Sequence, residues 1–412
     1  MIWIVFSLAN WRISPFLLLL LLGVIVIYAI ERARHRAVVQ RIPVRIHVNG
    51  TRGKSSVTRL IAAGLRAGGI RTVAKTTGSA ARLIHADGSE EPIPRLGSPN
   101  IREQIAIFDK AAREGAEALV IECMAVRPDL QSVSEHGIVR STIGVISNVR
   151  PDHLEVMGPD LEHVAIALSG TIPSGGDLFT AETRFAEFLK DKAERSGCRF
   201  HLTTPDRDPS AAEMEPFGYV EIPENVALAL DVCQHLGVGR ETALKGMYGV
   251  IPDIGATTRL SVRRGEKQLT FLNTFAANDA QSTVFLWKFL GLDKPGERQV
   301  GVLINNRADR LRRAVDVAKI IAGDIRADWY VVAGAAGPAF CGMATRNGIP
   351  CDKLINMSGD SPDAVLERIF SLTRQHAVVM GIGNIGGFGH RFMERLEQER
   401  SRDLSAKERV VQ

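Results

Sequence analysis

The sequence predicts an α/β protein in which an N-terminal transmembrane helix precedes two domains with mainly parallel sheets. Strand-like and helix-like segments alternate from residue 43 onward, which favours parallel strands joined by crossover helices. The length of 412 residues exceeds what one hydrophobic core usually supports. We therefore expect four regions: an anchor with a basic linker (1–42), a larger domain (43–253), a smaller domain (254–392) and a charged, exposed tail (393–412).

The anchor is predicted from the apolar run Ile13 to Ile30, which contains six consecutive leucines and is just long enough to span a bilayer core. Four arginines follow the run on its C-terminal side: Arg32, Arg34, Arg36 and Arg41. The positive-inside rule then places the rest of the chain in the cytoplasm, behind a single-pass helix in the cytoplasmic membrane. A cleaved signal peptide is the alternative, but its basic residues would precede the apolar run.

Composition narrows the class of protein. A hydrophobic content of 45% with 24% charged residues is ordinary for globular domains. The five cysteines are scattered and include no C-x-x-C pair, which argues against a zinc ribbon or a disulfide framework. The net charge of +5 fits an anionic lipid, an acidic substrate or an ordinary solvated surface. We expect no nucleic-acid partner, and a homo-oligomer stays open.

A glycine-containing loop follows the first predicted strand, in the segment "VRIHVNGTRGKSSVTRL". Its centre, G-x-x-G-K-S, is a short form of a phosphate-binding loop, in which backbone N–H groups and a helix N-terminus face one point. Gly53 would allow close approach, Lys54 would reach the terminal phosphates of ATP, and Ser55 would bind Mg²⁺. The alternative is a glycine turn with a surface lysine.

Two further segments follow buried strands of the same predicted sheet. Glu122 ends the apolar strand "ALVIE" and is a candidate metal ligand, the alternative being a salt bridge with Arg127. His153, in "NVRPDH", is a candidate for a second Mg²⁺ site beside Glu122. Ligands of such sheets bind at the carboxyl ends of the strands. The absence of an N-K-x-D signature argues against a GTPase.

These motifs resemble the Mur ligase superfamily, which includes folylpolyglutamate synthases. Longer strings, among them "NGTRGKSSVTRL", "ECMAVRPDLQ", "FAANDAQST" and "GIGNIGG", resemble its membrane-associated poly-γ-glutamate synthase branch, a capsule-type amide ligase. The resemblance implies a Mur-ligase-like P-loop ATPase domain with a mainly parallel sheet and a smaller C-terminal Rossmann-like α/β domain. It also implies ATP and Mg²⁺ as cofactors and glutamate with growing poly-γ-glutamate as substrates.

The resemblance assigns residues as well. The implied catalytic residues are Lys54, Glu122 and His153, and the implied metal ligands are Ser55, Glu122 and His153. The implied nucleotide-binding residues are Asn49, Gly50, Thr51, Arg52, Gly53, Lys54, Ser55, Ser56, Asn225 and Arg259. The implied substrate residues are Asn273, Asn278 and Arg307. Many Mur ligases also use a carbamylated lysine, but no lysine lies between Lys110 and Lys190 here.

The function implied is ATP-dependent γ-glutamyl amide bond formation through an acyl phosphate. The resemblance also implies two partners, a small hydrophobic membrane subunit and an export-associated subunit. The missing lysine keeps a rival open, namely an anchored ATP-binding regulatory or scaffolding subunit of an export complex without ligase activity of its own. Folate polyglutamation is a third possibility, although it would not require an anchor.

Overall fold

The computed structural model describes residues 15–77, 81–95, 97, 99–252, 257–275, 277, 280–307 and 311–411. Contacts divide these residues into two compact units. The N-terminal unit holds the described residues up to Met214 together with Ile222–Val250. The C-terminal unit holds Glu215–Glu221 and the described residues from Ile251 onward. The predicted boundary between residues 253 and 254 lies outside the described residues.

The N-terminal unit alternates strands and helices. Its strands are β1 Val44–Asn49, β2 Thr72–Thr76, β3 Arg82–Ile84, β4 Glu90–Pro92, β5 Ala118–Glu122, β6 Ile143–Ile146, β7 Gly176–Thr180 and β8 Cys198–Leu202. Its helices are α1 Pro15–Gln40, α2 Lys54–Ala67, α3 Glu103–Arg113, α4 Pro128–Ser132, α5 Leu154–Met157, α6 Leu161–Ser169, α7 Ala186–Arg195, α8 Ala211–Met214, α9 Pro223–His235 and α10 Arg240–Tyr248. A π-helical segment, Val133–Val139, continues α4.

These strands form one sheet in the order β4-β3-β2-β5-β1-β6-β7-β8. All neighbouring pairs are parallel except β2–β3 and β3–β4, which close one edge as short antiparallel strands. β1 is central and pairs with β5 on one side and β6 on the other. The segments that follow β1, β5 and β6 therefore meet at one edge of the sheet, as predicted for the loop, Glu122 and the D-H segment.

The C-terminal unit is a second α/β layer structure. Its strands are β9 Thr258–Arg264, β10 Lys267–Asn273, β11 Gln299–Asn306, β12 Trp329–Gly334, β13 Leu354–Asn356 and β14 His376–Gly383. Its helices are α11 Ala280–Phe289, α12 Leu311–Gly323, α13 Gly337–Arg346, α14 Pro362–Leu372 and α15 Phe388–Val411. The strand order is β13-β12-β11-β14-β10-β9, and only the edge strand β9 is antiparallel to its neighbour.

The two ends of the chain differ from the sequence-based expectations. The prediction of an exposed tail from residue 393 is wrong for its first turns, because α15 begins at Phe388 and buries Met393 and Leu396 in the core of the C-terminal unit. At the other end, the predicted apolar run starts at Ile13, outside the described residues. Within the described residues, no helix combines the length and apolar character needed to cross a membrane.

Candidate active site

The segment between β1 and α2 is a tight turn whose two glycines adopt positive φ angles. Gly50 has a φ of +130° and Gly53 a φ of +79°, both in the region that side chains other than glycine rarely adopt. A Cβ atom at Gly50 would lie 2.1 Å from Ser147 Oγ, and one at Gly53 would lie 2.7 Å from Asn225 Oδ1. Both positions of the motif therefore require glycine for conformation and for space.

Residues that follow β6 hold this turn in place. The Thr51 amide donates to the Asn148 carbonyl at 3.1 Å, and the Thr51 hydroxyl donates to Asn148 Oδ1 at 2.8 Å. Asn148 Oδ1 also accepts a bond from the Arg52 amide at 3.1 Å. The Ser147 hydroxyl donates to the Arg52 carbonyl at 2.6 Å. The turn is thus preorganised, which lowers the entropic cost of ordering it around a ligand.

Lys54 is the first residue of α2, and its ammonium group lies back over the turn. Lys54 Nζ donates to the Gly50 carbonyl at 2.7 Å and to the Thr51 carbonyl at 3.4 Å. No side chain caps α2 at Gly53, so the positive end of the helix dipole faces the turn. This combination fits a triphosphate, since the lysine can exchange two carbonyl oxygens for phosphate oxygens.

Glu122 ends β5 beside the first turn of α2 and is 2% exposed. Its Oε2 atom accepts hydrogen bonds from the Ser55 hydroxyl at 2.9 Å and from the Thr77 amide at 2.6 Å. A carboxylate next to a hydroxyl supplies the oxygen ligands that a hard divalent cation prefers. The alternative of a Glu122–Arg127 salt bridge is wrong, because Arg127 pairs with Asp129 at 2.8 and 3.1 Å.

His153 lies on the same side of the sheet but is not bonded to Glu122. It has a φ of +44°, its side chain is half-exposed, and its Nδ1 atom lies 3.4 Å from Glu155 Oε1. The preceding residue, Asp152, reaches the phosphate loop through an ion pair of 3.7 Å with Arg52. The structure therefore connects the D-H segment to the loop, while a shared metal at His153 and Glu122 stays a prediction.

The predicted nucleotide-binding residues occupy different positions. Asn225, in the first turn of α9, is buried next to Gly53. The Asn49 amide donates to Gln131 Oε1 at 2.8 Å and to Thr171 Oγ1 at 3.0 Å, and its contact with a nucleotide stays a prediction. Ser56 lies in the first turn of α2. Arg259 is an exposed residue of β9 in the C-terminal unit.

A buried charged cluster beside Glu122 was not anticipated from the sequence. Lys75 in β2 is fully buried, and its Nζ atom lies 2.8 Å from Glu103 Oε1. Glu103 also accepts two bonds of 2.8 Å from Arg95. Burial lowers the pKa of Lys75, although the charges of Glu103 and Glu122 oppose that shift. A lysine within the otherwise uncharged strand "TVAKT" is the feature of the sequence that could have indicated it.

The C-terminal unit has a cavity of about 480 Å³ at the carboxyl ends of β11, β12 and β14. Its polar lining includes Asn306, Arg307, Asp360 and Arg391. Asn306 is 6% exposed, and its Nδ2 atom has no hydrogen-bond partner among the described residues. A buried amide donor without a partner is costly, so Asn306 is a candidate for donating to a bound acceptor, either a ligand or a water molecule.

Of the predicted substrate residues, Arg307 lines this cavity and Asn273 does not. Asn273 ends β10, and its Oδ1 atom accepts a bond of 3.4 Å from the Phe275 amide. Asn278 lies outside the described residues. The sequence reasoning missed Asn306, Asp360 and Arg391, of which Asn306 could have been found because it directly precedes Arg307 at the end of a predicted strand.

The fold is that of the Mur ligases. The Mur ligase middle domain model matches residues 48–214. The structure of folylpolyglutamate synthase/dihydrofolate synthase from Yersinia pestis, solved with AMPPNP and a manganese ion, is similar with a TM-score of 0.63 and 16% identity, covering 89% of this chain and 92% of that one. At this identity the likeness concerns the fold alone.

Sequence relatives narrow the class further. The poly-gamma-glutamate synthase CapB C-terminal domain model matches residues 259–399. PGA synthase CapB of Bacillus subtilis is 36% identical over 385 residues, which cover 92% of this chain and 97% of that protein. Capsule biosynthesis protein CapB of Bacillus anthracis is 35% identical, covering 93% and 83%. The chain belongs to the CapB family of poly-γ-glutamate synthases, which confirms the family resemblance.

Proposed function

We propose that this protein is an ATP-dependent, ADP-forming ligase that makes γ-glutamyl amide bonds in poly-γ-glutamate synthesis. Membership of the CapB family supports this activity. The observation that carries it is the pairing of the Ser55 hydroxyl with the buried carboxylate of Glu122 at the mouth of the phosphate loop. That pair lies where a metal ion must sit to reach phosphates bound at the N-terminus of α2.

The loop residues would bind and position ATP. Lys54 would leave the Gly50 and Thr51 carbonyls and neutralise charge on the γ-phosphoryl group as it is transferred. Ser55 and Glu122 would hold Mg²⁺, which supplies further neutralisation of the phosphate oxygens when bound. Asn225 and Arg259 are proposed to contact the nucleotide, and His153 is proposed as a ligand of a second Mg²⁺.

The reaction then has two balanced steps. A γ-carboxylate oxygen attacks the γ-phosphorus of ATP, the bond to the β-phosphate oxygen breaks, and ADP leaves. The amine of the incoming unit attacks the resulting acyl phosphate, the acyl–oxygen bond breaks, and inorganic phosphate leaves with the amide formed and a proton released. The protein contributes mainly position and charge, as in other phosphoryl transfers.

The cavity of the C-terminal unit is our candidate for binding the glutamyl substrate. Arg307 and Arg391 supply cations for carboxylates, and the Asn306 amide supplies a donor that lacks a partner among the described residues. Asp360 supplies a carboxylate that suits an ammonium group. A cavity with these groups matches an amino acid that carries two carboxylates and one amine.

We also propose that the predicted apolar run Ile13 to Ile30, which begins before the described part of α1, is a single-pass anchor in the cytoplasmic membrane, with the ligase in the cytoplasm. The large apolar side chains described between Leu17 and Ile30 are exposed, as lipid-facing residues would be. An anchored ligase suits a polymer that is exported, so the proposed partners are a small hydrophobic membrane subunit and an export-associated subunit.

Membranes that carry the chain with its partner subunits test the proposal. With Mg-ATP and glutamate, we expect ADP release that depends on glutamate and a polymer that γ-glutamyl hydrolase degrades. In a Lys54→Ala variant, the rates of ADP release and of polymer formation should fall by at least about 100-fold, because charge neutralisation in the transition state is lost. An exposed lysine on α7, changed in Lys190→Ala, serves as the matched control.

The same variant distinguishes the ligase proposal from the alternative that the chain is a scaffolding subunit. The ligase proposal expects Lys54→Ala to assemble with its partners and make no product. A Lys54→Ala protein that still makes polymer at the wild-type rate, or a wild-type protein without glutamate-dependent ADP release, would contradict the proposal.

A further inference from the structure

A second cavity, of about 490 Å³, lies at the opposite edge of the N-terminal sheet from the phosphate loop. It is formed where α1 ends and where β1, β6 and β7 begin. The side chains that matter for its chemistry are Arg36, Arg45, Glu135, His136, Arg140 and Ser174. Nothing in the ligase reaction requires a cavity at this edge.

Among the described lining residues, three arginines and one acidic residue, Glu135, leave the cavity with a net positive charge. Arg36 and Arg140 are exposed, and neither forms an ion pair in the part of the chain that the structure describes. Glu135 is the acidic lining residue, but it is buried, and its Oε2 atom lies 2.7 Å from Nδ1 of His47. Although burial opposes the charged form, hydrogen bonds with Cys123 and Glu135 raise the pKa of His47 to about 9.

The guanidinium group of Arg45 is fixed within this cavity. Its Nε atom donates to the Arg140 carbonyl at 2.8 Å, and its Nη1 atom donates to the Ile42 carbonyl at 2.7 Å. Holding a cation against the backbone in this way preorganises an anion site, since little side-chain freedom is lost on binding.

The cavity lies directly below the exposed apolar part of α1. The helix is continuous from Pro15 to Gln40, so Arg36 lies about 9 Å along the axis from Ile30, at 1.5 Å per residue. The headgroup layer of one leaflet extends roughly 5–8 Å beyond the hydrocarbon core, so the Arg36 backbone would lie just outside that layer, within reach of the lipid phosphates through its long side chain. The end of α1 is also packed firmly, because His35 lies 2.9 Å from the Ile138 carbonyl and Val39 is part of the core.

We propose that this cavity binds the phosphate of an anionic phospholipid headgroup in the cytoplasmic leaflet. The inference rests on the anchor in the proposed function, because only insertion of the apolar run would bring the cavity to the edge of the headgroup layer. Lipid binding here turns the amino edge of the sheet toward the membrane. The phosphate loop, one strand length or about 20 Å away, then faces the cytoplasm.

Native mass spectrometry of the full chain in detergent tests this site, with phosphatidylglycerol and phosphatidylcholine as probes. We expect the wild-type chain to retain phosphatidylglycerol in preference to phosphatidylcholine. An Arg36→Gln/Arg140→Gln variant should bind phosphatidylglycerol about 30-fold more weakly, because two cations near the anionic headgroup are lost. Its affinity for phosphatidylcholine should not change. The matched control, Arg184→Gln/Arg346→Gln, removes two exposed arginines that do not line the cavity and should retain the preference.

Equal affinity for phosphatidylglycerol in the cavity variant and the control would overturn the inference. Release of the lipid by 10 mM inorganic phosphate at constant ionic strength would overturn it too, because the site would then bind small anions. Glutamate-dependent ADP release is measured on the same preparations. A wild-type chain that shows no lipid preference but releases ADP normally refutes this inference alone, whereas extraction of the wild-type chain from membranes by alkaline carbonate refutes the anchor and this inference together.

Discussion

Polar groups lie at the carboxyl edges of both sheets, but the two edges differ in how fully these groups are hydrogen-bonded within the protein. In the N-terminal unit, the turn after β1 is closed: Thr51 and Arg52 are bonded to Asn148, and Glu122 is bonded to Ser55. In the C-terminal unit, the edge is an open cavity in which the Asn306 amide lacks a partner among the described residues.

This difference matches the two tasks of an ATP-dependent ligase. A phosphate loop must present donors in a fixed geometry at the moment of transfer, so its strain and hydrogen bonds are built into the protein. An amino-acid site can leave a donor unsatisfied, because its substrate supplies the missing acceptor. The first edge should therefore be sensitive to small changes in shape, and the second to loss of single polar groups.

Gly50→Ala should have the largest effect. The added methyl group would overlap Ser147 Oγ, and the φ of +130° is strained for alanine. Displacement of the loop by about 1 Å should lower the rate of ADP release on the order of 100-fold. Gly69→Ala, at the other end of α2, also has a positive φ but meets no atom within 4 Å, and it should retain most activity. Similar rates for the two variants would contradict the claim that the loop is closed.

Asn306→Ala should have an intermediate effect confined to the second edge. Loss of a hydrogen bond to a carboxylate should raise KM for glutamate roughly tenfold or more, with KM for ATP unchanged. Thermal stability should stay constant or rise, since the buried amide has no partner among the described residues in the free protein. Steady-state kinetics and a thermal melt check both points, with exposed Asn347→Ala as the control. A destabilised variant with normal KM would assign Asn306 a structural role.

The smallest expected effect concerns His47. It should make the stability of the N-terminal unit depend on pH more strongly than that of the C-terminal unit. Its folded pKa of about 9 exceeds the ordinary value of 6.5, so its stabilising contribution is complete below about pH 6.5 and is lost as pH rises through 9. No buried histidine–carboxylate pair is described in the C-terminal unit. Pulse proteolysis at pH 6.5 and 9.5 should show the N-terminal unit losing more stability, and His47→Gln should reduce that difference. An equal pH response in both units would be inconsistent with the charged pair.

Much of the fold could be predicted because its signals are local. The strands before Glu122 and Ser147 have the continuous hydrophobicity of buried parallel strands, and the glycines at 50 and 53 mark a turn that only glycine accommodates. Knowing that these strands are parallel neighbours is enough to bring the phosphate loop and Glu122 to one edge.

The remaining features depend on tertiary contacts that a sequence pattern does not encode. Nothing in the local sequence predicts that the Asn49 amide donates to Gln131 and Thr171, which are distant along the chain. The Lys75–Glu103 pair joins β2 to α3, and the Asn306 cavity joins three strand ends distant in sequence. The prediction of an exposed segment from residue 393 was wrong for its first turns because the charged composition hid the apolar residues Met393 and Leu396.

The position of Lys54 Nζ in a structure of the full chain with AMPPNP and Mg²⁺ tests the central claim most directly. We predict that Nζ leaves the carbonyls of Gly50 and Thr51 and contacts the γ-phosphate, with the metal bound by Ser55 and Glu122. A nucleotide bound elsewhere, with Lys54 still donating to Gly50 and Ser55 still bonded to Glu122, would contradict it.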